Sequence, residues 1–565
     1  MSIIQYLFWL LLLLVSTAAA AESPGTPFLL QEAGKFQSSL SPYRTAYHFQ
    51  SRKNWMNGPF TYKGLYHLFY QYNPKGVIPG TIVWAHSVSS DLVNWAPLDI
   101  AISPSKPYDI KGCWSGSTTI VHGKPAILYT GANQLRKQSQ NLAYPRNLSD
   151  PYLREWVKSS QNPLMAPTIG NGINANSFRD PTTAWLGKDK HWRVLIGSKR
   201  NTRGLAILYR SRDFIHWVKA KHPLHFTLGT GMWECPDFYP VSNNSQVGLD
   251  TSGDDNQVRH VLKVSLDDDK HDYYMIGTYN TANDRFIPDR NFEDRKSFLR
   301  YDYGKYYASK TFYDEAKKRR ILLSWANESS AIKDDKKKGW SGIHTIPRVL
   351  WLHKAGKQLV QWPIAEIEKL RTNGVNWPIK VLKGGELLQI DGVTTTQADV
   401  EVSFEVTKYG EAEVLDYMTD PQILCSRNAS SNRRGLGPFG LLVFASKGLR
   451  EFTSVFFQIF RHQHKNLVLF CSNQQMSSLN TGTDKTTYGT FVNVDPLHEK
   501  LSLKSLIDHS VVESFGAAGR ACITARVYPT LAINNKAHLY TFNNGTAHVK
   551  ITKLSAWSMK KAQIN

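Results

Sequence analysis

The feature that most constrains this chain is a series of short apolar runs, each ending in polar or small residues: LYHLFYQY (65–72), PAILYTG (125–131), WRVLIGS (192–198), LAILYRS (205–211), YYMIGTY (273–279) and ILLSWAN (321–327). Such runs, rich in β-branched and aromatic residues, read as buried strands. A weak internal repeat links two of the units. Ser89, Asp91, Leu92, Val93 and Trp95 match Ser211, Asp213, Phe214, Ile215 and Trp217 as S-x-D-h-h-x-W. In this pattern Ser and Asp make a turn and Trp fills a layer. Strand units spread over several hundred residues point to an all-β chain built on a β-propeller, whose blades each bury one face on the next. The 38 Gly and 26 Pro set among 16 Trp, 26 Tyr and 25 Phe suit short strands and tight turns, not a helical bundle.

IAEIEKLR (364–371) reads as a short helix and NGVNWP after it as a turn-rich break. The expected layout is therefore a propeller over 40–363, a linker over 364–384 and a second all-β unit over 385–565. VEVSFEV (400–406), FGLLVFAS (439–446), SVFFQIF (454–460) and ARVYPTLAI (525–533) make a sandwich the expected fold of that unit. DDKKKG (334–339) reads as a solvated loop.

Residues 1–21 read as a signal peptide: an apolar run from Ile3 to Val15 precedes small residues that suit cleavage near Ala20 or Ala21. The run is too short to span a bilayer, and no later stretch approaches the ~18 apolar residues of a membrane helix. Secretion gives meaning to the N-x-S/T triplets at Asn147, Asn243, Asn327, Asn428 and Asn544 as glycosylation sites. Five cysteines are too few for a disulfide scaffold, and without a C-x-x-C pair no structural zinc site is expected. The formal charge of +22 implies a polyanionic partner. A secreted chain meets acidic cell-wall polysaccharide rather than nucleic acid, and no stable membrane association is expected.

Several motifs are discarded. Gly435, Gly437 and Gly440 satisfy G-x-G-x-x-G, but a polar run precedes them and a strand follows, so they make no dinucleotide site. Walker, H-E-x-x-H and G-x-S-x-G motifs are absent. RHQHK (461–465) reads as a hairpin tip rather than a metal site.

Four clusters place polar groups beside Trp or Phe, the combination that holds a sugar through stacked apolar faces and fixed dipoles. They are HFQSRKNWMNG (48–58), CWSGS (113–117), FRDP (178–181) and MWECPDF (232–238). Asp180 beside Arg179 and Glu234 beside Trp233 are expected to be a lowered and a raised carboxyl, the split that glycoside hydrolysis requires.

RTAYHFQ, NWMN, YQYNP, VWAHS, CWSGS, FRDP, WECPDF, YYASKTFYD, WANES and LIDHSVVESFG, running from Arg44 to Gly516, resemble the plant acid invertases of glycoside hydrolase family 32. The resemblance implies a five-bladed propeller followed by a C-terminal β-sandwich. It also implies retaining hydrolysis of β-fructofuranosides such as sucrose or small fructans, without metal or organic cofactor. Pro236 resembles the cell-wall subgroup, which places the protein in the apoplast. Carried over by motif, Glu234 is the acid/base, and Asp180 binds fructose hydroxyls and steadies the oxocarbenium-like transition state, with Arg179 beside it. Gln71, Trp114 and Ser115 line the fructose pocket, Asp267 and Lys270 favour sucrose over longer fructans, and Cys425 and Cys471 form the sandwich disulfide.

One departure bears on activity. The family's nucleophile is the Asp of W-M-N-D-P-N-G, whereas this chain reads Trp55-Met56-Asn57-Gly58-Pro59. Asn57 aligns with either family Asn, and neither alignment supplies a carboxylate able to form the glycosyl ester. The family tripeptide is typically encoded by its own small exon, so a transcript that skips it leaves readable flanks. Pro79-Gly80-Thr81 stands where the family usually has Trp-Gly-Asn, removing a stacking ring. The expectation is a β-fructofuranosidase in a form weak or inactive as written. The alternatives are a non-catalytic carbohydrate-binding or regulatory relative, or a fructan exohydrolase.

Overall fold

The computed structural model describes residues 41–57, 60–62, 64–253, 258–292, 298–406, 408–415, 417–427 and 435–564. The signal-peptide reading and Asn428 fall outside them, and for Asn57 only the backbone is described.

Residues 54–363 form five antiparallel sheets arranged as propeller blades. Their first strands are Asn54–Asn57, Cys113–Val121, Phe178–Arg179, Trp233–Ser242 and Tyr307–Asp314. Each of the six apolar runs lies in a strand, save the terminal Asn327 of ILLSWAN, and the centres of the runs are buried, as at Ile321, Leu322 and Leu323. The ring closes where Trp340–Ser341, reached from the fifth blade, pairs in parallel with Asn54 and Trp55 of the first.

The S-x-D-h-h-x-W repeat is one turn built twice. Asp91 Oδ1 accepts the amides of Val93 and Asn94 at 2.9 and 2.8 Å, and Asp213 Oδ1 those of Ile215 and His216 at the same distances. The left-handed residue falls at Leu92 (φ 64°) and Phe214 (φ 66°). Their carbonyls accept the indole N–H of Trp95 and Trp217, which turns each ring into the core.

The sandwich consists of two seven-stranded sheets. Along Gln397–Val406 alternation aims Val400, Val402, Phe404 and Val406 into a core shared with Phe439, Phe457 and Phe470 of the other sheet. Cys425 of the short helix Pro421–Ser426 is disulfide-bonded to Cys471 of the strand Lys465–Asn473. RHQHK is a hairpin tip, with His462 paired to Lys465.

Two local expectations are corrected. The segment 364–384 is not a free linker. Ala365–Leu370 is a 3₁₀ helix that buries Ile367 and Leu370, and Arg371–Trp377 and Lys380–Leu382 pair with Val549–Met559. Their pairing partner lies at the far end of the chain, where no local pattern can announce it. Residues 334–339 are not a solvated loop either, because Ile332–Lys338 is a helix. Lys338 reaches Glu328 (3.1 Å) and Asp335 (2.8 Å), and its ammonium lies 4.3 Å from the ring centres of Trp340 and Tyr528. These contacts, three within ten residues and one to the far Tyr528, order the segment.

Propeller and sandwich meet through a buried charged network. Asp508 accepts the backbone amides of Ala46, Tyr47 and His48 (2.6, 2.9 and 2.9 Å), and the His48 ring bridges Asp508 (2.9 Å) and Glu513 (3.0 Å). Arg348 pairs with Glu513 (2.6 Å) and Asp302 (3.0 Å). Every one of these ionisable side chains is fully buried, so each depends on its partners to stay charged.

Candidate active site

A cavity of about 700 Å³ opens at one end of the propeller, and Trp55, Trp114, Arg179, Glu234 and Tyr307, from the first strand of each blade, all line it. The strands reach it through irregularities. Register shifts fall at Trp114/Gly116, Glu234/Asp237 and Tyr307/Lys310, and Asp180, Cys235 and Ala308 adopt positive φ of 66°, 43° and 56°. Bulges of this kind re-aim side chains that a regular ladder would point into the sheet.

Glu234 is the best-held carboxylate here. Arg179 Nε donates to its Oε1 at 2.9 Å, the Tyr307 hydroxyl donates to Oε2, and Lys270 Nζ stands 3.8 Å from Oε2. Burial raises its proton affinity, and the negative charges of Asp180 and Asp267 add to the rise. Arg179 and the Tyr307 hydrogen bond oppose it without cancelling it. A carboxyl poised in this way can hold a proton and give it up.

Asp180 is 3% exposed, and its Oδ2 accepts the Cys235 amide at 2.9 Å. Arg179, next to Asp180 in sequence, turns its guanidinium to Glu234 and, at 3.5 Å, to Asp267. Half-burial pushes the Asp267 carboxyl up, but the Lys270 hydrogen bond and charge, together with Arg179, hold it below the usual range.

Gln71 Nε2 donates to Ser115 Oγ at 2.6 Å, linking the first two blades, and the Asn57 backbone pairs with Gln71. Pro79 also lines the cavity. The structure thus brings Gln71, Trp114, Ser115, Arg179, Asp180, Glu234, Asp267 and Lys270 to one cavity. Tyr307 and Gln138 were not assigned roles from sequence. Tyr307 lies in the YYASKTFYD motif, but nothing local says which of its three tyrosines bonds Glu234. Gln138 accepts the Phe178 amide at 2.8 Å, across blades. Asn147, Asn243 and Asn327 are exposed and Asn544 half-buried, with Asn327 on the cavity rim. Among the described residues no group of three His, Cys, Asp or Glu is placed to hold a metal ion.

Comparison with known proteins identifies this arrangement. The profile of the glycosyl hydrolases family 32 N-terminal domain matches residues 48–363, and that of the family 32 C-terminal domain matches 366–558. The chain belongs to glycoside hydrolase family 32. It is 67% identical over 511 residues to the cell-wall isozyme of β-fructofuranosidase from Pisum sativum, covering 89% of this chain and 92% of the relative. It is 59% identical over 534 residues to fructan 6-exohydrolase from Beta vulgaris, with 93% and 88% covered. The solved structure of fructan 1-exohydrolase IIa from Cichorium intybus superposes with a TM-score of 0.90 at 51% identity, covering 93% of this chain and 98% of that one. A glycoside hydrolase of this family with a five-bladed propeller and a sandwich is therefore the frame for the site.

Proposed function

We propose that this chain is a secreted, wall-associated β-fructofuranosidase that, in the form read here, keeps its sugar pocket and proton donor but lacks its nucleophile. The observation that carries the reading is Glu234, raised by burial and gripped by Arg179 and Tyr307, facing a cavity lined by Trp55 of the strand Asn54–Asn57, whose sequence NWMN holds no carboxylate. Glu234 protonates the departing glycosidic oxygen. Asp180, held by the Cys235 amide, accepts hydrogen bonds from fructose hydroxyls and steadies positive charge at the anomeric carbon. Trp114, Gln71 and Ser115 shape the ring's seat. With no group to attack the opposite face, the sugar binds but hydrolysis is feeble, because losing a nucleophile costs about 10³ to 10⁶ in rate.

Sucrose is the favoured substrate class, supported by the Asp267–Lys270 ion pair and by the name of the Pisum sativum relative. A second reading, small fructans, draws support from Pro79 at the cavity and from a relative of 51% identity solved with 1-kestose. Reinserting Asp-Pro-Asn between Asn57 and Gly58 should restore sucrose hydrolysis, and Ala-Pro-Asn should restore the turn alone. If the unmodified chain, made in a host free of invertase, already turns over sucrose at about 10 s⁻¹, the reading is wrong.

Wall association is supported by the +22 charge, to which Lys137 and Arg200 at two hairpin turns contribute. Lys137 bonds Asn176 (3.2 Å) and Arg200 bonds the Gly172 carbonyl (3.5 Å), so two hairpin tips share the loop 169–176, which carries no carboxylate. The protein should bind polygalacturonate at low salt and leave it at high salt. Binding that ignores salt would defeat this part.

A further inference from the structure

Beneath the site lies a buried ion pair to which the proposed chemistry assigns no part. Lys263 is 0% exposed and Asp272 is 1% exposed, with Nζ to Oδ2 at 3.2 Å. The ammonium donates to the Cys235 carbonyl (3.1 Å), to the Ser309 carbonyl (2.6 Å) and to Ser265 Oγ (2.8 Å). The carboxylate accepts the amides of Ala308 (3.1 Å) and Ser309 (2.7 Å) and the Ser265 hydroxyl (2.6 Å). Cys235 belongs to the irregular stretch that follows Glu234, and Ala308 and Ser309 to the one that follows Tyr307. Ser265 stands directly across the ladder from Glu234. One salt bridge therefore grips two bulges on neighbouring blades, and the two bulges carry the two ends of the Tyr307–Glu234 hydrogen bond.

We infer that Lys263, Asp272 and Ser265 form a positioning clamp that sets the Tyr307 hydroxyl against Glu234 and so governs how readily Glu234 holds its proton. A bulge has lost its ladder hydrogen bonds and needs other groups to fix it. A buried Lys–Asp pair requires several well-placed partners, and here those partners are the bulge amides and carbonyls. The clamp touches neither the cavity nor any sugar, so it acts only through Tyr307 and Glu234. The other groups facing Glu234 are Arg179, Asp180, Asp267 and Lys270, and none of them bonds the clamp.

The inference rests on Glu234 as the proton donor, but its test reads titration of that carboxyl directly in the chain as it stands, without hydrolysis. Glu is labelled with ¹³C at the carboxyl, Glu234→Gln identifies the resonance, and pH titration follows it. Tyr307→Phe removes a donor to the carboxylate and should raise the midpoint by about one pH unit. Ser265→Ala loosens the clamp without stranding a charge and should move the midpoint in the same direction by a smaller amount. In the Tyr307→Phe background Ser265→Ala should add nothing. Lys263→Met combined with Asp272→Leu removes the pair together and should reproduce the Tyr307→Phe shift if it folds, while Ser265→Ala alone decides the matter if it does not. A folded Ser265→Ala protein with an unmoved or lowered midpoint, or a shift that persists without the Tyr307 hydroxyl, overturns the inference. Failure of the Asp-Pro-Asn insertion to restore hydrolysis would instead defeat the proposed function and leave this result intact.

Discussion

Replacing His48 by Leu should loosen the sandwich from the propeller, and the structure sets the size of the loss. The ring is fully buried between Asp508 and Glu513, so its removal strands two carboxylates in a dry interface. Breaking a buried pair in this way typically costs about 3 to 5 kcal/mol. Asp508 keeps three backbone amides, and Glu513 keeps Arg348 and the Ile346 amide, which places the expected loss at the low end, about 3 kcal/mol. The pH dependence carries a sign. Burial lowers the proton affinity of His48, but its hydrogen bonds and charge contacts with the two carboxylates outweigh this and leave it raised. Its contribution is therefore complete below the unfolded histidine pKa of about 6.5 and fades as pH rises through the folded value. Asp508 and Glu513 are lowered: burial pushes them up, but His48 and, for Glu513, Arg348 more than reverse it. Their contribution is present above unfolded values of about 4 and is lost as pH falls through the folded ones. Urea unfolding across this range should show the parent at its most stable in weak acid, losing stability on the alkaline side, with that alkaline loss much reduced in His48→Leu. A variant within about 1 kcal/mol of the parent near pH 6, or a parent whose stability does not fall between about pH 6.5 and 9, would refute the reasoning.

Serine in place of both Cys425 and Cys471 should cost about 2 to 4 kcal/mol, since the bond spans a sequence separation of 46, and calorimetry with and without reductant should agree on the amount. Asp91→Ala removes the side-chain oxygens that organise the first repeated turn and should cost about 1 kcal/mol, measurable by denaturant unfolding.

Much of the fold was legible in residue order because it depends on local periodicity. Apolar runs of strand length, the twice-used S-x-D-h-h-x-W turn and the alternation of VEVSFEV act within a few residues, and each became the element it implied. Asp180 and Glu234 stood out in the sequence because they sit in short clusters with Phe178 and Trp233, and the fold brings both to one cavity. The proposal that the nucleophile is missing also rests on residue order alone, since Asn57 is followed by Gly58 and Pro59. The strands at 371–377 and 380–382 were not legible, because their pairing partner, Val549–Met559, lies near the end of the chain. The choice of partner for each charge was also hidden. Arg179 passes over Asp180 for Glu234, 55 positions on, Tyr307 meets Glu234 across 73, and His48 is held by residues more than 450 positions downstream. Strand identity follows from the short-range repeat of the chain. Proton affinity and docking follow from which buried charges the bulged strands and neighbouring blades bring within about 3 Å, and only the folded ring of sheets decides that.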